Sequence, residues 1–338
     1  METPRQQQRI VFLDRGVFPF ELKRPGFPHE WIEYVTTPQD EVVERLRGAS
    51  IAITNRVRLG RGELEKLPSL EMIAVAATGY DRIDSDACRE LGIVVSNLRG
   101  WCVRSVSEHV FALALALRRN LTEQVQAVRN GAWQSSAAGS LLCTRPANDL
   151  CGATMGIVGF GNIGKRVATI AEAFGMHLFV AERKGSPKIR PGRMELPLVV
   201  QRSDILSLHC PLNTETRSLI GTGELRCMKA QAILINCARG ELVDNAALAA
   251  ALASGAIAGA GLDGLETEPP STGNPLLNLR HPNLMITPHV AWASEQAIEQ
   301  FRQQLIDNIE AFARGVPRNV VVSLGQKVRR SSLMGPMC

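Results

Sequence analysis

Residues 155–175, MGIVGFGNIGKRVATIAEAFG, decide how the chain folds. An apolar run, MGIV, leads into the pattern GFGNIG from Gly159 to Gly164, and KRVATIAEAFG continues at helical spacing. Strand, glycine turn and helix in that order are the setting a dinucleotide fingerprint requires, whereas the glycine pattern alone is a weak signal. Gly159 suits a tight turn, Gly161 would let the backbone approach a pyrophosphate, and Gly164 would let the helix pack closely on the strand. The start of the helix offers unpaired N–H groups to an anion. A glycine-rich turn without a ligand is the bland alternative, and the complete setting outweighs it. The next apolar run, HLFVAE, ends at Glu182, near the offset at which a carboxylate accepts hydrogen bonds from an adenosine ribose. That favours NAD as cofactor. Arg183 and Lys184 follow directly, and cationic groups in this turn can hold a 2′-phosphate, so NADP is the alternative.

Outward from this core, DILSLH, AILINCA, GAGLD and LMITPH bring the second half to six expected strands, which suits one doubly wound parallel sheet. Upstream, IVFLD, IAITN, MIAVAAT and IVVSN alternate with the helix-like stretches PQDEVVERLRG and ELEKLPSL. Such alternation implies parallel strands with crossover helices, an α/β fold. SEHVFALALALRRN, from Ser107 to Asn120, is apolar on nearly every face, which means burial between two domains or subunits. A domain boundary is expected near Val103. Residues 294–314, SEQAIEQFRQQLIDNIEAFAR, have helical periodicity and stop before Gly315 and Pro317. This helix is free to return to the first domain.

With 338 residues, 45 % hydrophobic and 21 % charged, the chain exceeds one typical core, and two domains are expected. The net charge of +5 comes from scattered Lys and Arg, without the basic block that nucleic acid would require. The eight cysteines form no CxxC pair, so neither a disulfide framework nor a metal site is expected, and a reducing compartment fits. The start METPRQQQRI is polar and the apolar IVFLD after it is too short for a signal core. No apolar run reaches the roughly 18 residues of a membrane helix. A cytoplasmic protein with no membrane partner is the expectation, and the last residues, 326–338, are expected to form a disordered tail.

Three polar residues fall at the C-terminal ends of expected strands, where open α/β sheets bind ligands. Arg239 in INCARGELVD would present a planar fork of donors to a carboxylate and a neighbouring carbonyl oxygen. His289 in MITPHVAW suits proton transfer near neutrality. Glu268 in GLDGLETEPP could orient His289 and favour its imidazolium form. Taken singly, these would be a surface ion pair, a structural histidine and a solvated loop glutamate.

The ordered set GFGNIG, HCPLNTET, INCARGELVD, AGLDGLETEPP and TPHVAWAS resembles the D-isomer-specific 2-hydroxyacid dehydrogenases, over roughly residues 50–320. The TPHVAW ending resembles their glycerate dehydrogenase (hydroxypyruvate reductase) branch. The resemblance implies two Rossmann-like domains, with the nucleotide domain, 104–289, inserted into a discontinuous substrate domain, 1–103 plus 290–325. It implies that Arg239 binds the substrate carboxylate and keto oxygen, that His289 gives the proton, that Glu268 supports His289, and that Asp263 helps seat the nicotinamide. Phe160, Asn162 and Ile163 within the glycine turn, Arg183 beyond it, Cys210 and Pro211 in HCPLNTET, and Cys237 and Ala238 in INCARG join the expected cofactor contacts. Asn55, Thr78, Gly79 and Tyr80 resemble the family's substrate loops, whose backbone amides hold the carboxylate. The sequence departs from the family's usual pattern at Ser107, commonly alanine, and at Gly264, often a bulkier residue. Domain closure that excludes water and a two-fold homodimer through the nucleotide domains are further expectations, the dimer resting also on the apolar stretch Val110–Leu117. The alternatives are a dinucleotide-sensing, corepressor-like regulator on the same fold and a formate- or phosphonate-oxidising relative.

Overall fold

A computed structural model describes residues 8–139 and 146–322 of the chain. It divides into two compact units, Met1–Trp101 with Glu295–Cys338, and Cys102–Ser294. Cys102, Val103 and residues 290–294 therefore belong with the second unit. The expected tail over 326–338 lies outside the described residues.

In the first unit, β1 (Gln8–Phe12), β2 (His29–Glu33), α1 (Val42–Arg45), β3 (Ile51–Thr54), α2 (Arg61–Leu64), β4 (Met72–Val75), α3 (Ser85–Leu91) and β5 (Val94–Ser96) follow in order. IAIT and MIAV in β3 and β4 are buried along their whole length, as β-branched and apolar runs are in a parallel sheet covered on both faces. The helix expected over 38–48 shrinks to a 3-10 turn at Gln39–Glu41 and the single turn α1. In contrast, α3 has both its start and its stop signal: the Asp84 carboxylate accepts the Ala87 N–H at 2.8 Å, and Gly92 ends the helix at φ 76°.

The second unit contains α4 (Val103–Arg118), α5 (Leu121–Arg129), β6 (Thr154–Val158), α6 (Asn162–Ala173), β7 (His177–Val180), α7 (Leu196–Arg202), β8 (Ile205–Leu208), α8 (Thr222–Cys227), β9 (Ile233–Asn236), α9 (Asn245–Ala253), β10 (Gly259–Asp263), α10 (Pro275–Asn278) and β11 (Leu284–Thr287). Its six strands run in the order β11-β10-β9-β8-β6-β7, paired in parallel throughout. The chain leaves β6 for β7 on one side and then crosses to β8 on the other. That reversal opens a crevice at the C-terminal ends of the strands. All six expected strands of this half are present.

The helix α4 shows how an apolar stretch can mislead. Val110, Phe111, Leu113, Ala114 and Leu117 are buried within their own unit, packed with Val167, Ala168, Ile233 and Ile235. Each such side chain contributes about 1.5–3 kcal/mol through burial. The stretch therefore needs no second subunit to cover it, contrary to the expectation drawn from its composition.

The chain then returns to the first unit with α11 (Glu295–Ala313) and β12 (Val320–Val322). Phe301, Leu305 and Ile309 on α11 are fully buried. Strand β12 pairs antiparallel with β5, completing the order β12-β5-β4-β3-β1-β2. The helix stops at Gly315, whose φ of 78° is left-handed, as the sequence predicts.

Candidate active site

The glycine turn has two positions closed by packing and one that is open. Gly159 has φ 94°, and a Cβ there would lie 2.5 Å from the Cys210 backbone N. A Cβ on Gly164 would lie 2.2 Å from the Gly159 carbonyl oxygen. Around Gly161, in contrast, a Cβ would meet nothing within 4 Å. Two glycines are thus fixed by protein packing, while the third faces open space at the start of α6, where backbone N–H groups lie unpaired. A nucleotide pyrophosphate fits this arrangement.

A cavity of about 430 Å³ adjoins the turn, lined in part by Gly159, Phe160, Gly161, His209, Cys210 and Pro211. Its other wall carries Glu182, Arg183, Lys184, Arg190 and Arg193. Glu182 is only 3 % exposed, and its carboxylate is gripped by Arg190: Nε donates at 2.6 Å and Nη2 adds a second bond. Backbone N–H groups of Arg183 and Arg190 donate at 2.9 and 3.2 Å. The Arg190 guanidinium, aided by those amides, holds the Glu182 carboxyl well below its ordinary range. The sequence reading placed Glu182 as a ribose acceptor in competition with Arg183 and Lys184. In the structure its charge is matched by Arg190, and Lys184 is paired with Glu224 at 2.9 Å. Arg193 lies 5.8 Å from the centre of the Phe160 ring. Arg190 and Arg193 escaped the sequence reading because the loop after β7 folds back: Glu182 N–H donates to the Met194 carbonyl at 2.7 Å. The spacing of arginines in SPKIRPGR was the available signal.

Burial pushes His209 down to about 4, so it is neutral at physiological pH, and its Nε2 lies 2.9 Å from Ser207 Oγ. Burial also pushes the Cys210 thiol up to about 11 and the Cys237 thiol further still. Neither is a nucleophile at neutral pH.

The polar trio stands at the ends of three adjacent strands. Asn236 at the end of β9 pairs with Leu262 in β10, and Asp263 at the end of β10 pairs with Thr287 at the end of β11. Arg239, Glu268 and His289 follow these ends by a few residues each. Asn236 shapes the Arg239 turn, its Nδ2 donating to the Arg239 carbonyl at 2.7 Å and its Oδ1 accepting the Ala238 N–H at 3.1 Å. His289 Nδ1 lies 2.7 Å from Glu268 Oε2. Gly264 makes room for that pair: with φ 108°, it has no Cβ where one would sit 2.3 Å from Glu268 Oε1 and 3.6 Å from His289 Nδ1.

His289 itself has φ 56°, a conformation that costs about 1–3 kcal/mol in a residue with a side chain and persists only when its surroundings enforce it. The enforcement comes from Asp263. Its carboxylate accepts the N–H groups of Val290 and Ala291, both at 2.8 Å, and the Thr287 hydroxyl at 2.6 Å. His109 Nε2 lies 3.0 Å from that hydroxyl, and Trp292 Nε1 donates to the His289 carbonyl at 2.9 Å. The resemblance gave Asp263 a role toward the nicotinamide; the structure adds this grip on the His289 backbone, which no sequence motif announces. Ser107, buried on α4, donates its hydroxyl to the Val103 carbonyl at 2.6 Å and takes no part in the trio.

The D-isomer-specific 2-hydroxyacid dehydrogenase model for the NAD-binding domain matches residues 111–291. The chain is 44 % identical to glycerate dehydrogenase of Methylorubrum extorquens, over 93 % of this chain and 99 % of that one. This chain belongs to the D-isomer-specific 2-hydroxyacid dehydrogenases. A glyoxylate reductase of Aeropyrum pernix is 37 % identical over 98 % of this dehydrogenase and 99 % of its own length. Among solved structures, an acyclic imino acid reductase in complex with NADPH and D-Arg superposes with a TM-score of 0.79 at 29 % identity, covering 93 % of this chain and 100 % of that one. The dehydrogenase is thus an NAD-dependent oxidoreductase of 2-hydroxy acids on an α/β fold.

The expected substrate loops lie in the first unit. The Asn55 backbone N–H is taken by the Asp14 carboxylate at 2.9 Å, so it is not available to a ligand, and Asn55 Nδ2 donates to the Ala76 carbonyl at 2.7 Å. Thr78 and Tyr80 are exposed and Gly79 is half-buried. The carbonyls of Ala77 and Thr78 accept from Leu98 N–H at 3.0 Å and Asn97 Nδ2 at 2.6 Å, while Thr78 Oγ1 accepts from Trp101 Nε1 at 3.0 Å. The backbone N–H groups of Ala77, Thr78, Gly79 and Tyr80 have no acceptor among the described residues.

Proposed function

We propose that the dehydrogenase reduces a small 2-keto acid, hydroxypyruvate or glyoxylate, to the D-2-hydroxy acid. The observation that carries this reading is the 2.7 Å pair of His289 and Glu268 set beside Arg239 at neighbouring strand ends. The substrate assignment is supported by the names of the relatives, glycerate dehydrogenase and glyoxylate reductase. The hydride that reduces the carbonyl carbon is supplied by bound NADH. His289, held through Nδ1 by Glu268, delivers the proton from Nε2 to the carbonyl oxygen as its negative charge develops. Arg239 stabilises that charge and binds the carboxylate with its paired donors. The free amides of Ala77 to Tyr80, in the first unit, are offered to the substrate carboxylate, as successive N–H groups are to anions. In this reading the first unit is the substrate domain and the second the nucleotide domain, with Asp263 toward the nicotinamide.

A homodimer is part of the proposal, on a different face from the one composition suggested. Leu121, Val125 and Val128 on α5 are 45 %, 48 % and 42 % exposed, and Trp133 beyond it is 53 % exposed. Their spacing puts the three aliphatic residues along one helical stripe, which a second copy would cover by two-fold symmetry. A cytoplasmic location is supported by the cysteines Cys88, Cys151, Cys210, Cys227 and Cys237, which form no disulfide among the described residues. The deciding experiment follows reduced-cofactor absorbance with purified enzyme and hydroxypyruvate, glyoxylate, pyruvate or 2-ketobutyrate. Turnover fastest, by kcat/KM, on either of the first two supports the proposal. Preference for a larger keto acid refutes the substrate assignment, and no turnover on any refutes the mechanism.

A further inference from the structure

Asp14, just beyond β1, is the one carboxylate of the first unit that is fully enclosed among the described residues, at 4 % exposure. Its oxygens accept three successive backbone N–H groups: Asn55 at 2.9 and 3.0 Å, Arg56, and Val57 at 3.3 Å. Thr54 Oγ1 adds a fourth contact at 3.4 Å. Consecutive amides converging on one anion form a nest, and here the protein fills the nest with its own side chain. Burial raises the Asp14 carboxyl above its ordinary value, with the amide donors offsetting only part of the effect. A carboxyl raised on folding favours the fold at acid pH and subtracts from stability once ionised, so at neutral pH this charge is not explained by stability.

The geometry it fixes leads to the substrate loop. Asn55, gripped at its N–H by Asp14, turns Nδ2 to the Ala76 carbonyl at 2.7 Å. The next two carbonyls, of Ala77 and Thr78, are tied by Leu98 and Asn97. Three carbonyls in a row are thus anchored, from Asn55 beyond β3 on one flank of β4 and from Leu98 and Asn97 beyond β5 on the other, while the amides of Ala77 to Tyr80 have no acceptor among the described residues. We infer that Asp14 is a positioning residue for substrate recognition: it holds Asn55, Asn55 pins the Ala76 carbonyl, and the loop thereby aims its amides at the substrate carboxylate. The inference rests on the proposal that this loop binds that carboxylate.

The test compares Asp14→Asn, Asn55→Ala and Gly79→Pro with the parent enzyme, reading KM and kcat for hydroxypyruvate, KM for NADH, and the inhibition constant of oxalate, a planar dicarboxylate mimic. Loss of the charged hydrogen-bond anchor should raise the keto-acid KM and the oxalate constant together by about tenfold in Asp14→Asn, with kcat and the NADH KM within about twofold. Asn55→Ala leaves the nest filled and removes only the pin, so it should show the same split; it also stands in if Asp14→Asn does not fold. A lower melting temperature or active fraction with both constants unchanged would make Asp14 merely structural and overturn the inference. Gly79→Pro removes one loop N–H and interrogates the loop directly. If it raises both constants while the Asp14 and Asn55 variants do not, the positioning role fails and the loop assignment stands. If it changes neither, the loop assignment fails and the inference falls with it.

Discussion

His289 Nδ1 and Glu268 Oε2 lie 2.7 Å apart, which commits one ring nitrogen to the protein and leaves Nε2 to meet a substrate. Glu268→Gln preserves the shape of that contact and removes its charge. The kcat for keto-acid reduction should therefore fall, because the proton donor loses its charged hydrogen-bond partner. His289→Ala should lower kcat by about two to four orders of magnitude, the scale of general acid catalysis, with NADH binding little changed. An unchanged kcat in Glu268→Gln would show that the pair has no catalytic part.

Gly264 offers an independent way to disturb the same pair. A methyl group at this position would intrude to 2.3 Å from Glu268 Oε1, on a backbone with φ 108°. Gly264→Ala should push the carboxylate away from His289 and reproduce the loss in kcat of Glu268→Gln, together with a lower melting temperature. A kcat like that of the parent would mean that Glu268 relaxes without losing its partner.

Arg239 is held by its turn, where Asn236 Nδ2 donates to its carbonyl and its own Nη1 donates to the Ala238 carbonyl at 3.1 Å. Arg239→Lys keeps a positive charge but loses the two-pronged geometry, so the keto-acid KM should rise and kcat fall, and Arg239→Ala should be worse in both. Steady-state kinetics of the two variants check the order.

The ion pair of Glu182 and Arg190 in the cavity beside the glycine turn should set the choice between cofactors. Arg190→Ala frees a carboxylate that would then repel a 2′-phosphate, so kcat/KM with NADPH should drop relative to NADH; Glu182→Ala should shift preference toward NADPH. The same pair is linked to pH. A glutamate held below its ordinary range by a cation contributes stability at neutral pH that is lost as the solution is acidified through the acid range. Acid unfolding monitored by circular dichroism should begin at higher pH in Arg190→Ala.

Thiol chemistry should follow burial. Cys210 and Cys237 line the nucleotide unit with thiols pushed far up, whereas Cys151 and Cys227 are exposed. Brief iodoacetamide treatment at neutral pH, read by peptide mass spectrometry, should label the exposed pair and spare the other two. Rapid labelling of Cys210 would contradict its enclosure.

The elements legible in the sequence are those whose local and global demands coincide. The strands β6, β8 and β9 are buried runs rich in Val, Ile and Leu, and the glycines of β6–α6 announce a turn that only glycine can make. Strand β2 went unread because HEWIE lies at the sheet edge, where it is partly exposed and carries charge. The three residues of β12 gave too short a signal. In the site, Arg239, Glu268 and His289 were visible because each follows a readable strand. Arg190 and Asp14 were not, because their roles come from contacts made by folding: Asp14 meets Asn55 across 41 positions of chain. The misjudged apolar stretch of α4 has the same root, since composition tells that a helix is covered but not by what.

The closing strand β12 has a consequence for how the protein comes into being. Everything the second unit needs lies in one uninterrupted length, Cys102–Ser294, whereas the first draws its sheet and core from both Met1–Trp101 and Glu295–Cys338. On the ribosome the later-encoded unit can therefore finish folding first. The segment made earliest must wait, with the flank of β5 unpaired and the pocket for Phe301 unfilled, until α11 and Val320–Val322 emerge. An interruption of synthesis shortly before that point would release a chain with an intact nucleotide unit and an open sheet edge, the kind of species that chaperones bind and that aggregates when they do not.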